Sequence, residues 1–83
     1  MKIRVRYFAS LREALGPQET AEVPDGTTVG ALRLHLVALS ERHEQALAPE
    51  RALRCALNQR MCQEDEALSE AAEVAFFPPV TGG

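Results

Sequence analysis

The chain has 83 residues, 46% of them hydrophobic but only 5% aromatic, with no tryptophan and a formal net charge of −3. A chain of this length closes one core and would starve a second, so a single domain over residues 1–83 is expected. The acidic balance and the lack of stacking aromatics argue against a nucleic-acid surface, and no apolar run is long enough for a membrane span.

The opening Met1-Lys2-Ile3-Arg4-Val5-Arg6 alternates, unlike the continuous apolar segment of a signal peptide, and the expected compartment is the cytoplasm. Lys2 to Ala9 reads as a strand with Ile3, Val5 and Tyr7 on one face and Lys2, Arg4, Arg6 and Phe8 on the other. Phe8 is an aromatic on the polar face. Ser10 and Glu13 have the spacing of a capping box, which predicts a short helix over Leu11 to Leu15, stopped by Gly16-Pro17.

Glu19 to Val23 alternates again, and Pro24-Asp25-Gly26 closes it as a turn, giving the second strand of a hairpin. Thr27 or Thr28 caps a helix predicted to run to about Arg42, with Val29, Leu32, Leu36 and Leu39 as its apolar stripe and Leu34 pointing away. His43 falls in line with that stripe, which suits a partly buried or capping histidine at the helix C-terminus. Glu44 to Ala52 contains Pro49 and has no period, so it reads as a connection with at most a helical turn.

Leu53, Cys55 and Leu57 form a third strand, ended by the polar turn Asn58-Gln59, and Arg60 to Gln63 follows as a short strand. Cys55 and Cys62 have neither metal-ligand nor CxxC spacing, so two reduced, largely buried thiols and no metal site are expected. Glu64-Asp65-Glu66 reads as a solvated loop, and Glu73 to Phe77 is the last strand. This order of strands around one main helix predicts an α+β fold with a mixed sheet covered by that helix.

The last nine residues, Ala75-Phe76-Phe77-Pro78-Pro79-Val80-Thr81-Gly82-Gly83, carry the functional signal. Pro78 and Pro79 lack amide donors and have fixed φ, so they end sheet pairing and send the chain out extended. Four residues beyond them reach at most ~13 to 14 Å, far enough to enter a neighbouring protein. Gly82 and Gly83, lacking Cβ atoms, can thread a narrow channel and bring the Gly83 carboxylate to a reactant. On composition alone a bare Gly-Gly end equally fits an inert, frayed terminus.

This tail, together with Ala56-Leu57-Asn58-Gln59 and Val5-Arg6-Tyr7-Phe8-Ala9-Ser10-Leu11-Arg12-Glu13, resembles the small, sulfur-carrying subunit of molybdopterin synthase, the MoaD family, over nearly the whole chain. The resemblance implies a β-grasp, ubiquitin-like fold. It also implies a protein that is not an enzyme by itself. A ubiquitin-activating-like adenylyltransferase would consume ATP to adenylate Gly83, which is then converted to a thiocarboxylate, and no cofactor would stay bound. The sulfur would pass to cyclic pyranopterin monophosphate in the large, catalytic synthase subunit during molybdenum cofactor biosynthesis. The family's docking patch would fall on Phe8, Met61 and Phe77, with Pro78, Pro79, Val80 and Thr81 leading Gly82 and Gly83 into the partner.

Alternatives are a ubiquitin-like modifier joined to lysines through Gly83, a thiazole-synthesis sulfur carrier, and an interaction domain with an inert tail. One departure from the family pattern is Ala71-Ala72, where a Gly-Asp pair is usual before the last strand. If that turn needs positive φ, alanine strains it by ~1 kcal/mol or more.

Overall fold

Two of the alternating segments form a hairpin in the computed structural model, which describes residues 1–79. β1 (Lys2–Tyr7) pairs antiparallel with β2 (Gln18–Glu22), Ile3 facing Ala21 and Val5 facing Glu19. Alternation does here what it should: Ile3, Val5, Tyr7, Ala21 and Val23 are buried, whereas Lys2 and Arg4 are exposed. Between them lies α1 (Ser10–Leu15), anchored by buried Leu11. The capping box does not form. Ala9, not Ser10, is the N-cap, and no side chain caps this helix. Gly16, at φ 89°, ends it by donating to the Arg12 carbonyl at 2.8 Å.

The single long helix expected up to Arg42 is two helices, α2 (Val29–Val37) and α3 (Glu41–Leu47). Ser40 is the reason for the break: its Oγ accepts from the His43 amide at 3.1 Å and so starts α3 as an N-cap. Leu39 leaves the stripe and is half exposed, while Val29, Leu32 and Leu36 are fully buried, and Ala46 and Leu47 of α3 join the core. Of the segment read as a connection with a helical turn, Glu44 to Leu47 is the last turn of α3 and residues 48–52 are not helical. His43 lies in the first turn of α3, not at a helix C-terminus.

Thr28 caps α2, its Oγ1 accepting from Ala31 at 3.1 Å. The preceding amides are satisfied from a distance, Val29 donating to the Glu66 carbonyl at 3.0 Å and Gly30 to the Glu64 carbonyl at 2.8 Å. The acidic loop is solvated as expected, Glu64, Asp65 and Glu66 all being exposed, and it is also docked through its main chain. Gly30 permits this approach, since a Cβ there would sit 3.2 Å from the Glu64 carbonyl oxygen. One turn further, buried Arg33 donates to the carbonyls of Leu47, Ala48 and Arg51 and pairs with Glu64 at 2.7 Å, tying α2, α3 and the acidic loop together.

β3 (Arg54–Leu57) and β4 (Arg60–Cys62) form a second hairpin through Asn58-Gln59, both at positive φ (49° and 68°), which gives the twist suited to a two-residue turn. β5 (Glu73–Phe77) then inserts between the hairpins, parallel to β1 and antiparallel to β3, so the sheet order is β2-β1-β5-β3-β4. The mixed sheet and α+β class agree with the sequence reading. The helices cover the sheet face that carries Ile3, Val5, Tyr7, Val74 and Phe76. No helix among the described residues is long and apolar enough to cross a membrane.

Candidate functional site

The sheet face turned away from the helices is built by the opposite parity of the same strands. On β5 it carries Glu73, Ala75 and Phe77, and the register sets Arg6 and Ala56 beside Ala75 and Arg54 beside Phe77. One strand further out, Met61 stands opposite Ala56. Two alanines at the middle of this face leave a trough between larger neighbours. The resulting groove, of about 610 Å³, is lined by Arg6, Phe8, Ala9, Ala56, Gln59, Glu73, Ala75, Phe77, Pro78 and Pro79.

The structure therefore brings Phe8, Phe77, Pro78 and Pro79 together in one groove. Phe8 is 38% exposed and Met61 60% exposed, so neither is covered by a loop or by β4. Met61 is on the same face but outside the groove lining, flanking it from β4. Val80, Thr81, Gly82 and Gly83 lie outside the described residues. Sequence reading missed Ala56, Ala75 and Gln59. Alanine has no chemical signature, and only its parity with Phe77 could have suggested that Ala75 floors a surface trough.

The position of Phe8 depends on its neighbours. Its amide donates to the Phe76 carbonyl at 3.2 Å, extending the β1–β5 ladder, and the chain then turns sharply at Ala9, whose φ of 55° and ψ of −130° are costly for a residue with a Cβ. The Arg6 guanidinium lies 5.3 Å from the Phe8 ring centre, in cation–π range. Glu73 is held by Arg4 at 3.1 Å and approached by Arg6 at 3.9 Å. The cations of this face, Lys2, Arg4, Arg6 and Arg54, outnumber Glu22 and Glu73. An apolar groove with a basic margin fits a protein surface that offers apolar side chains and carboxylates.

A second polar cluster lies under the helices. Tyr7 Oη donates to Glu19 Oε2 at 2.6 Å, His43 Nε2 lies 2.8 Å from the same oxygen, and His43 Nδ1 lies 2.7 Å from Ser40 Oγ. Burial, reinforced by the hydrogen bond to Glu19, pushes the Tyr7 phenol well above its ordinary range. Every member has a structural partner, and the cluster joins β1, β2 and α3 on the side away from the groove. His43 is partly buried, as read, and is a tie between layers.

Among known proteins, the ThiS family model matches residues 5–83. The molybdopterin synthase sulfur carrier subunit of Escherichia coli (strain K12) is 46% identical over 98% of this chain and 99% of its own length. The crystal structure of small archaeal modifier protein 1 from Haloferax volcanii superimposes with a TM-score of 0.78 at 25% identity, covering 95% of this chain and 98% of the other. At 23% identity, a chain in the complex of subunits 1 and 2 of molybdopterin-converting factor from Helicobacter pylori has the same fold, with a TM-score of 0.70 and full coverage of both. The β-grasp, ubiquitin-like architecture inferred from the resemblance is the one these neighbours have.

Proposed function

This chain belongs to the ThiS family and is related along its length to molybdopterin synthase sulfur carrier subunits, and from that we propose that it carries sulfur on the carboxyl group of Gly83. The observation that carries the reading is continuity. β5 runs from the core through Phe77 into Pro78 and Pro79, which line the open groove, and the next four residues are Val80-Thr81-Gly82-Gly83. A partner that grips the groove through Phe8 and Phe77, with Met61 at its edge, holds the root of the segment whose far end reacts.

The chemistry needs activation because a carboxylate is a poor electrophile. In the proposed sequence the Gly83 carboxylate attacks the α-phosphorus of ATP, held by an adenylyltransferase, and pyrophosphate leaves. A persulfide sulfur displaces AMP from the acyl carbon, and a thiol reductant cleaves the resulting acyl disulfide to leave a thiocarboxylate. That sulfur nucleophile is delivered to cyclic pyranopterin monophosphate in the large synthase subunit. This chain supplies the handle and the reacting group; the partners supply nucleotide and substrate pockets.

Intact-mass spectrometry tests this directly. With an activating enzyme, ATP and a sulfur source, one oxygen at Gly83 is expected to be replaced by sulfur, a gain of about 16 Da, and a chain lacking Gly82 and Gly83 should gain nothing. An unchanged mass while the activating enzyme turns over ATP on this chain would refute sulfur loading. The likeness to an archaeal modifier supports a second reading, in which a lysine amine displaces AMP and an isopeptide forms. Gly-Gly remnants on cellular lysines would identify that use.

A further inference from the structure

We propose that Cys55 and Cys62 are a reversible dithiol–disulfide pair that ties the edge strand β4 to β3. The pairing is geometric. The two residues are directly opposite in the antiparallel register of the β3–β4 hairpin. Directly opposed residues in such ladders have Cα atoms roughly 4.5 to 5.5 Å apart, inside the range of about 4.4 to 6.8 Å that a disulfide spans. Both side chains point to the same face, and the Cys62 thiol lies 3.5 Å from the Cys55 sulfur. Closing to a bond of about 2.05 Å takes side-chain rotation and a small approach of an edge strand that is paired on one side only.

Access is also provided. A cleft of about 480 Å³ has Arg54, Cys55, Met61, Cys62, Glu64 and Glu66 among its walls. Cys62 is partly exposed and Cys55 is buried, which assigns their roles. Burial, reinforced by the neighbouring Cys62 sulfur, pushes the Cys55 thiol up to about 12, so it is the poorer attacking group. The Cys62 thiolate attacks one sulfur of a small disulfide such as oxidised glutathione and expels one glutathione thiolate. Cys55 then loses its proton to solvent and attacks Cys62 Sγ, expelling the second glutathione. The two cysteine thiols thereby lose two protons and two electrons, and one glutathione disulfide is reduced to two thiols.

The bond would fix the strand that carries Met61, next to Cys62 and across from Ala56 at the edge of the groove. The test uses the full folded chain, equilibrated with mixtures of oxidised and reduced glutathione and quenched in acid. The expected product is lighter by two hydrogens, carries no glutathione, resists alkylation at both cysteines, gives a crosslinked 55–62 peptide and returns to the dithiol with excess reduced glutathione. Cys55→Ser should instead stop at the Cys62–glutathione adduct, which locates the attacking thiol. A wild-type chain that stops at that adduct with Cys55 still alkylatable, that yields only disulfide-linked dimers, or that keeps its reduced mass at every ratio would overturn the proposal.

Discussion

Replacing Ala71 by glycine should stabilise the protein. Ala71 has φ 65°, in the left-handed region, and is fixed there because its amide donates to the Lys2 carbonyl at 3.1 Å while the Ala72 carbonyl accepts from Arg4 at 2.9 Å. The turn thus keeps the positive φ that a glycine would adopt freely, and an L-residue with a Cβ carries a cost of roughly 1 to 2 kcal/mol in this conformation. Glycine also gains freedom in the unfolded chain, which takes back about 0.4 to 1 kcal/mol. The net expectation is a gain of ~0.5 to 1 kcal/mol, or about 2 to 8 °C in Tm for a chain of this size. Thermal unfolding followed by far-ultraviolet circular dichroism, with urea titration as a second measure, reads this shift. The adjacent Ala72→Gly has the opposite sign: Ala72 is buried and is not at positive φ, so it loses a packed methyl and gains unfolded-state entropy, costing about 1 kcal/mol or more. If Ala71→Gly leaves Tm unchanged or lowers it, the strain argument for this turn is wrong.

Phe77→Ala should weaken binding to the large synthase subunit by more than ~1 kcal/mol, above roughly fivefold in Kd by calorimetry, with the circular dichroism spectrum unchanged, because Phe77 lies at the open face and not in the helix-covered core; an unaltered Kd removes it from the interface. Stability should fall on the alkaline side. Cys55 and Tyr7 both hold their protons more tightly when folded than their ordinary values of 9.0 and 10.0 imply, so their contribution is complete below about pH 9 and drains as pH rises through the folded values. Urea unfolding from pH 8 to 11 should show the decline, and Tyr7→Phe should make it shallower above about pH 10.

Much of this fold is written in local pattern. Strand alternation identified Ile3, Val5 and Tyr7 as the buried face of β1, and the bounds of β5 follow from Glu73 to the residue before Pro78, where amide donors stop. A threonine cap was legible before the apolar run, but only the structure decides for Thr28 over Thr27, whose hydroxyl donates to the Pro24 carbonyl instead. The break between α2 and α3 was not, since Leu39 continues the spacing of Leu32 and Leu36. Only the capping geometry of Ser40 and the packing of Ala46 and Leu47 show that a new helix begins. Arg33 looked like any polar residue of a helix, and its burial depends on three carbonyls that tertiary structure brings to it. At the candidate site Phe8 was readable as an aromatic on the polar face of its strand, and Phe77 through the family resemblance. The trough between them was not, because it is made by alanines whose adjacency exists only after β5 has entered between β1 and β3.

The middle position of β5 has a mechanical consequence. Any pull on the chain beyond Pro79 is transmitted to a strand bonded along both edges, in parallel to β1 and antiparallel to β3, so the load falls lengthwise across two ladders at once and cannot peel a single edge. The chain leaving Pro79 is thereby rooted at the position in the sheet where tension is shared most widely.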